Sequence, residues 1–518
     1  QAGDEVAKMR VRWDDGDLEV LEVGSRELAE FELERTLTRG VHRLGVAFVN
    51  DYYDPKFPDP KRRDRNLYVD AVAVIGPLDV RPVPVAQRWV HDAVPSRGSD
   101  GSRLRAFAGA LLPTLWRRPV AVSEARRHAA VGEAMLAAGE DFTAALRAVL
   151  QAALTSPNFL FRCENSTPGL ALASRLSFFL WASAPDARLL RLAKAGKLGD
   201  RERLRAETRR LLADPRADSL ATEFAAQWLE LRNLAEFTPD PERFPEFDEA
   251  LRRSLRSETE LLFRAVQRED RDVRELLDCD FTFVDARLAG FYGLPRPDDA
   301  ADDAAFERVE LPAELRFRGG ALGHGSILAL TSNPTRTSPV KRGKWILENL
   351  LGAPPPPPPP GAGALANEQA VDSSKSFREQ LAMHREDSKC AVCHVRMDAL
   401  GLALERFDAI GHFRERDKDG VIDCSGELPG GAVVDGLVGL KHVLAADPAF
   451  VRTLALKLFV YGVGRAPRPI DRLVLDHEVD ALLATGKVTI ADLVLTIVDS
   501  AAFRVVGGEG EGAGDAGR

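Results

Sequence analysis

The sequence predicts a mainly α-helical, multidomain protein with an N-terminal β-sandwich domain of jelly-roll type and a C-terminal helical segment that carries two cysteines. Three observations give this fold class. Apolar and polar residues alternate in the first 78 residues, as in "GVHRLGVAFVNDYYD", which is typical of half-buried strands. From 100 to 300, apolar residues instead recur three and four positions apart in segments rich in Ala, Leu, Arg and Glu, which favours helices. The length of 518 residues exceeds what one hydrophobic core organises.

These patterns divide the chain into six segments. They are, in chain order, a β-sandwich domain at 1–78, helical domains at 100–166 and 167–300, a loop-helix domain at 308–425, a helical domain at 432–505 and a disordered tail at 506–518. The loop-helix domain contains a run of prolines, 354–360, which predicts an extended and semi-rigid spacer.

Charge and hydropathy exclude two classes of partner. The net charge is −9, and the arginines alternate with acidic residues, as in "LRRSLRSETE". This pattern is typical of solvated helix faces, so we do not expect nucleic acid as a partner. Apolar runs are interrupted by charge or glycine before they reach the length of a membrane span, so we expect no transmembrane segment.

The stretch "SKCAVCHVRMDALG" contains the pattern C-x-x-C-H. Two cysteines three positions apart, Cys390 and Cys393, can form thioethers with the vinyl groups of a haem, and His394 then becomes an axial ligand of the iron. A zinc site is less favoured, because Cys424 and His412 lie downstream at no familiar zinc spacing. A thioredoxin-type redox pair is also less favoured, since the surroundings are not βαβ. A merely structural pair is disfavoured to a similar degree. The segment is therefore predicted to be a helical haem c segment.

The second axial ligand of this haem is less determined by the sequence. We favour His384, because it lies ten positions before His394, a separation that can loop around a haem edge. Met397 lies three residues after His394, on the same side of the ring, so we expect it to pack in the core. An open sixth position is equally consistent and would favour ligand or peroxide chemistry. The remaining candidates are Met383, His412 and His324.

Four stretches together are similar to the planctomycete-type secreted cytochrome c proteins, which are built from serial domains of unknown function. They are "SRLSFFLWASAPDARLL", "DFTFVDARLAGFYGLP", "LTSNPTRTSPVKRGKWILENLLGAPPPPPPPG" and "CAVCHVRMDALGLALERFDAIGHFRERD". The resemblance covers about 100 to 505 and implies export and haem attachment at Cys390, Cys393 and His394. Such proteins usually carry a further N-terminal cytochrome c domain, so we expect this sequence to be part of a longer protein. The chain departs from their pattern at His412 and Cys424.

The N-terminal stretches "FVNDYYD" and "DRNLYVD" concentrate carboxylates and amides in predicted loops. Such oxygens suit calcium, and Tyr52, Tyr53 and Tyr68 offer flat faces to sugar rings. The stretches resemble calcium-dependent xylan-binding carbohydrate modules, which implies calcium ligands at Asp51, Asp64 and Asn66. In the alternative, these residues cap turns and bind neither ion nor sugar. The full set of candidate ligands is Asn50, Asp51, Asp54, Asp64, Asn66 and Asp70.

A catalytic set is not evident in the sequence. Ser326 in "GHGSI" does not match the nucleophile elbow, and Glu258 and Glu260 lie two apart on a predicted helix, hence on different faces. A basic group forms either an anion or haem-propionate clamp or, as we favour, a solvated face. Its members are Arg336, Lys341, Arg342 and Lys344. The cysteines outside the motif, Cys163, Cys279 and Cys424, are expected to be buried thiols, with a Cys163–Cys279 bridge as the alternative.

We therefore predict an exported c-type cytochrome-like protein, periplasmic or at the cell surface, with haem c and calcium as candidate cofactors. Its function is electron transfer, or a redox step on an extracellular substrate for which polysaccharide is a candidate, and its redox partner is unidentified. The first alternative is a non-enzymatic polysaccharide-binding scaffold with a structural haem or none. The second alternative is a haem peroxidase.

Overall fold

The alternating residues at the N-terminus form the strands of a small β unit in the computed structural model. The structure describes residues 5–14, 18–25, 27–36, 42–74, 88, 90, 92–161, 167–295, 305–357, 377–386, 388–417, 420–429 and 431–505. The chain separates into two units, residues 1–89 and residues 90–518.

Five strands make up the described part of the first unit. They are β1 (Ala7–Trp13), β2 (Leu18–Val23), β3 (Leu44–Phe48), β4 (Tyr52–Tyr53) and β5 (Asp64–Arg65). An antiparallel sheet has the order β2-β1-β3, with Val11 opposite Glu19 and Val46, and β4 pairs with β5 separately. Ala7 and Val11 are buried, as the period-two pattern requires. The predicted N-terminal β region is confirmed, whereas the two facing sheets of a sandwich stay a prediction.

The second unit is mainly helical, as predicted. Its helices are α1 (Asp100–Leu115), α2 (Val122–Ala137), α3 (Phe142–Leu154), α4 (Pro157–Leu160), α5 (Pro168–Trp181), α6 (Ala187–Lys194), α7 (Arg201–Ala213), α8 (Ala226–Trp228), α9 (Glu249–Arg268), α10 (Ala286–Tyr292), α11 (Gly325–Leu330), α12 (Pro339–Asn349), α13 (Phe377–His384), α14 (Ser388–Leu402), α15 (Gly436–Ala446), α16 (Pro448–Val463), α17 (Pro469–Leu483), α18 (Ile490–Asp499) and α19 (Ala501–Arg504). Its strands pair antiparallel in short ladders: β6 (Phe281–Val284) with β7 (Glu307–Glu310), β8 (Arg416–Asp417) with β9 (Gly420–Val421), and β10 (Ser425–Glu427) with β11 (Val433–Asp435).

The first helices of this unit have a core of their own. Helices α1, α2 and α3 pack around the fully buried Leu104, Phe107 and Val149. The Trp116 indole N–H donates to the Ala153 carbonyl oxygen at 3.3 Å, which joins the end of α1 to α3.

A larger core extends from α5 to α19, across three of the predicted domains. Polar side chains connect distant parts of the chain within it. Arg175 on α5 donates to the Phe503 carbonyl oxygen at 2.6 Å, and the Trp228 indole N–H donates to the Asn349 carbonyl oxygen at 2.8 Å. One core therefore draws on residues from 170 to 503, and a smaller cluster that includes Leu251, Leu255 and Leu288 lies within the same range.

Helices α12 and α14 approach each other backbone to backbone. A Cβ at Gly343 would overlap the Met397 carbonyl oxygen, and one at Gly401 would overlap the Pro339 carbonyl oxygen. Only glycine fits such a contact. Because Trp345 and Ile346 of α12 lie in the large core, this contact fixes α14 relative to that core.

Arg342 does not lie on a solvated basic face, where we predicted it, but in the interior. Its side chain is fully buried, and its Nη atoms donate to the carbonyl oxygens of Leu404 at 2.6 Å, Phe407 at 2.9 Å and Asp408 at 2.8 Å. Burial lowers the pKa of Arg342 to about 10. The arginine thus holds the chain that follows α14. Lys344 is more exposed and pairs with Glu348, as a solvated face requires.

Further expectations concern connecting segments and membrane spans. In one connection, β8 pairs with β9, so the chain reverses direction at "DKDG". Prolines 354–357 lie in neither helix nor strand, while 358–360 and the tail at 506–518 lie outside the described residues. Within the described part of the chain, no helix combines the length and the apolar character needed to cross a membrane.

Substituting alanine at Gly343 or Gly401 is expected to lower the free energy of unfolding by about 1–3 kcal/mol, because the added Cβ forces α12 and α14 apart. Gly290→Ala is the matched control, since this helical glycine has open space around its Cβ position. It should leave stability unchanged or raise it by up to about 1 kcal/mol. Denaturant unfolding followed by circular dichroism measures the free energy of unfolding of all three variants. Equal stability of Gly343→Ala and Gly290→Ala would contradict the assigned contact between the helices.

Candidate functional site

The two cysteines of the C-x-x-C-H pattern lie one turn apart near the start of α14. Cys390 and Cys393 are partly exposed, free thiols, and His394 follows them directly. Farther along the same helix, residues 397–400 are buried in the core. Helix α14 therefore has a partly exposed half that carries the thiols and a buried half that anchors it.

His394 is held by an aspartate that the sequence analysis missed. Its Nδ1 lies 2.9 Å from Oδ1 of Asp398, four residues later on the same helix face. Asp398 is fully buried, and its Oδ2 lies 3.8 Å from Nε of Arg385 with no hydrogen-bond partner among the described residues. A carboxylate on Nδ1 leaves Nε2 as the ligating atom of the imidazole. An aspartate four positions after a histidine is a signal that the sequence contained.

His384 ends the preceding helix, α13, and its ring touches that of His394. The ring centroids are 4.6 Å apart with the planes at 80°. Arg378 of the same helix donates to the Asp423 carbonyl oxygen at 3.1 Å, which holds α13 against the segment before β10. Because the two rings are in contact, a porphyrin between them would require α13 to move. The assignment of His384 as the second axial ligand stays a prediction.

The residues present at this end of α14 fit a covalently bound haem. Two free thiols on one helical turn precede an imidazole whose Nδ1 is already engaged. Val392 is 78% exposed, and Val395 and Met383 are also exposed, so apolar surface is available to a porphyrin beside the thiols. Met397 lies in the large core, where we expected it to pack.

The other histidine candidates for the sixth position lie in different surroundings. His412 is partly exposed, with its ring centroid 4.1 Å from that of Phe291 and its Nδ1 3.8 Å from Glu246 Oε1. His324 is fully buried in the interior of the helical unit.

His324, Ser326 and Glu258 meet in one buried polar cluster. The Thr259 hydroxyl lies 2.9 Å from His324 Nδ1 and 2.8 Å from the Ser326 hydroxyl. His324 Nε2 is 3.6 Å from Glu258 Oε1. These four side chains are buried in the interior of the helical unit. Glu260 faces another way and pairs with Arg256, as its position two residues after Glu258 predicted.

Burial favours the uncharged forms of Glu258 and His324 in this cluster. Glu258 accepts hydrogen bonds from Thr282 at 2.6 Å and from Tyr292 at 2.7 Å, and the Arg318 guanidinium lies 4.0 Å from the centre of the Tyr292 ring. Even so, desolvation raises the pKa of Glu258 to about 8. Desolvation also lowers the pKa of His324 to about 3, so the imidazole is neutral in the folded protein.

The remaining cysteines agree with the expectation of buried thiols where the structure describes them. Cys279 is buried and donates to the Phe281 carbonyl oxygen at 3.2 Å, and burial raises the pKa of its thiol to about 11. Cys424 is also buried. Cys163 lies outside the described residues, so the alternative of a Cys163–Cys279 bridge also falls outside them.

In the N-terminal unit, Asn50 is engaged in the fold. Its Oδ1 accepts from the Lys8 amide at 2.7 Å, and its Nδ2 donates to the Val6 carbonyl oxygen at 2.8 Å, beside β1. Asp54 accepts from the Lys56 amide at 2.9 Å and thus caps a turn, as the alternative interpretation proposed. Asp51 is exposed.

The pair β4–β5 presents the other sugar and calcium candidates. Arg65 is buried, donates to the Asn50 carbonyl oxygen at 2.6 Å and stacks on the Tyr52 ring at 5.2 Å. Its neighbours Asp64 and Asn66 are exposed and joined by a 2.8 Å hydrogen bond. The most exposed aromatic residues here are Tyr53, at 71%, and Tyr68, at 89%.

A calcium site in this unit stays a prediction. Among the residues that the structure describes, no three or more His, Cys, Asp or Glu side chains form a group that could hold a metal ion. Calcium also uses amide and backbone carbonyl oxygens, so Asp51, Asp64 and Asn66 stay candidates together with such groups.

The chain matches five protein families in series. Residues 1–82 match a Ca-dependent, xylan-binding carbohydrate-binding module. Four families described as proteins of unknown function follow in chain order: DUF1595 at 103–164, DUF1592 at 169–294, DUF1588 at 318–417 and DUF1585 at 430–503. No curated protein and no solved structure matches the chain. These matches confirm both resemblances drawn from the motifs.

The buried cluster predicts how stability depends on pH. Between pH 6.5 and 8 the Glu258 carboxyl is ionised in the unfolded chain but protonated in the folded one until pH approaches its pKa of about 8. His324 is neutral in the folded protein, and in the unfolded chain its imidazole loses its remaining proton over the same window, which offsets a smaller part of the change. The free energy of unfolding therefore falls as pH rises through this window, by less than about 1.4 kcal/mol per unit. Glu258→Gln should remove this fall, and the control Glu260→Gln, at a partly exposed glutamate paired with Arg256, should retain it, as measured by urea unfolding. A wild-type protein equally stable at pH 6.5 and 8 would refute the assignment.

Proposed function

We propose that this chain, which matches DUF1595, DUF1592, DUF1588 and DUF1585 in series and resembles the planctomycete cytochrome c-type proteins, is an exported c-type cytochrome-like protein acting at an extracellular polysaccharide. It transfers electrons there or carries out a redox step on that substrate. The observation that carries this proposal is the end of α14, where two partly exposed free thiols precede a histidine whose Nδ1 is bound by a buried carboxylate.

Each residue of this end of α14 has a separate role in the proposal. Cys390 and Cys393 would hold the haem through thioethers, and His394 would ligate its iron through Nε2. Asp398 fixes the tautomer that makes Nε2 available. When bound, the haem supplies one-electron exchange between the ferric and ferrous states. Partial exposure of the thiols and exposure of Val392 support a redox group at the protein surface, where a partner could reach it.

The N-terminal unit supports polysaccharide as the target. Its family match is to a Ca-dependent, xylan-binding module, and Tyr53 and Tyr68 expose their rings to solvent. An aromatic ring offers an apolar face to the carbon-bound hydrogens of a sugar and a polar tip to its hydroxyls. Attachment to an insoluble glycan raises the effective concentration of the redox group at that surface.

Covalent haem is tested on protein expressed with a periplasmic cytochrome c maturation system. The wild-type chain should show a c-type α band in a pyridine haemochrome assay, with haem that stays on the polypeptide after denaturation. The double variant Cys390→Ala/Cys393→Ala should lose both signals. Cys279→Ala and Cys424→Ala are the matched controls, since each removes a buried thiol outside the motif, and both should keep the haem.

A colourless wild-type protein under these conditions would sink the cytochrome proposal and leave a polysaccharide-binding scaffold. Haem that survives in the double variant would show that the thiols are not its attachment points. A haem that responds to peroxide but not to a mild electron donor would favour a peroxidase.

Polysaccharide binding is tested by sedimentation of the chain with insoluble xylan. Tyr53→Ala/Tyr68→Ala should weaken retention at least about tenfold, because two stacking faces are lost. Phe161→Ala, which removes an aromatic residue 64% exposed in the helical unit, should not. A calcium chelator should release the wild-type chain, and Asp51→Asn/Asp64→Asn should bind xylan weakly at any calcium concentration. If neither the tyrosine substitutions nor the calcium chelator changes retention, the surface that carries Tyr53 and Tyr68 is not the xylan-binding surface.

A further inference from the structure

We propose that Asp398 is a positioning residue that sets the reduction potential of the haem through His394, with Arg385 acting in the opposite direction. This inference rests on the proposed function, because it concerns the haem that His394 would bind. It concerns residues that neither the C-x-x-C-H pattern nor the family matches assign.

The aspartate lies where its charge has the strongest effect on the ring. Its side chain is fully buried, while His394 is 15% exposed, and the two are joined at 2.9 Å between Oδ1 and Nδ1. Within the protein interior a charge is screened far less than at the surface. The i, i+4 spacing on α14 and the fixed position of that helix against α12 hold the pair in this geometry.

The hydrogen bond acts on the ligand in two ways. It keeps the proton on Nδ1, so the lone pair of His394 stays on Nε2. It also draws that proton toward the carboxylate, which increases the electron density that the ring donates from Nε2. Ferric iron carries one more positive charge than ferrous iron. A stronger donor and a nearby negative charge both favour the ferric state, so Asp398 lowers the reduction potential.

Arg385 opposes this effect. Its Nε lies 3.8 Å from Asp398 Oδ2, beyond hydrogen-bond distance, and its side chain is 30% exposed. The guanidinium therefore compensates only part of the buried negative charge. Removing Arg385 leaves more of that charge acting on His394, so the two residues are expected to shift the potential in opposite directions. A purely structural role for Asp398 gives no reason for such opposite shifts.

The experiment measures midpoint potentials of the haem-loaded full chain by equilibrium redox titration. Poised at the wild-type midpoint, Asp398→Asn should show a ferrous-to-ferric ratio at least tenfold higher, which corresponds to about 59 mV for one electron. Arg385→Gln should lower that ratio roughly threefold, since a partly exposed charge is screened. Glu386→Gln, which removes an exposed charge from the residue next to Arg385, should change it less than about twofold.

The outcomes separate this inference from the proposed function. Absence of covalent haem in the wild-type chain would defeat the proposed function itself. Normal haem content with equal potentials in wild type and Asp398→Asn would overturn the inference alone. Asp398→Glu keeps a carboxylate and should restore most of the wild-type potential. If Asp398→Asn does not fold, Arg385→Gln decides, because an unchanged or raised potential in that variant would overturn the inference as well.

Discussion

The close contact of α12 with α14 is the constraint on which the candidate site depends. Gly343 and Gly401 remove the side chains that would keep the two backbones apart, so each helix lies in the groove of the other. Arg342 then binds the carbonyl oxygens that follow α14, which fixes the far end of that helix. Helix α12 lies in the large core, so its contact with α14 fixes the position of His394 relative to that core.

Buried cations hold this interior together through carbonyl oxygens more than through carboxylates. Arg175 donates to the chain end at Phe503, and Lys441 on α15 donates to the Gly319 carbonyl oxygen. Such groups are costly to bury and are tolerated only when their donors are satisfied. Because each satisfies its donors with backbone from a distant segment, the wrong packing of one segment leaves a charge unpaired. The segments that match DUF1592, DUF1588 and DUF1585 therefore share one core.

Much of this architecture follows from local patterns, and the rest depends on distant contacts. Period-two alternation gave the strands around Val11, and helical spacing gave most of the second unit. The spacing of Cys390, Cys393 and His394 located the thiols on one helix. The burial of Arg342 could not be predicted, because the three carbonyl oxygens that it binds lie more than 60 positions away, and backbone atoms have no sequence signature. The basic run around it therefore looked like a solvated face.

Helix α14 runs from the protein surface into the core within three turns. Its residues therefore lie in different surroundings and have different roles. Its first turns expose the thiols and Val392. Its later turns bury Asp398, and His394 lies at the boundary. Under the proposed function, a haem ligand at that boundary has its Nδ1 against a buried carboxylate in the low-dielectric interior. The partly exposed turns would admit a partner, while the buried carboxylate would set the electronic character of the ring. One helix would thus provide both access and tuning, which a fully exposed or fully buried C-x-x-C-H segment would not achieve.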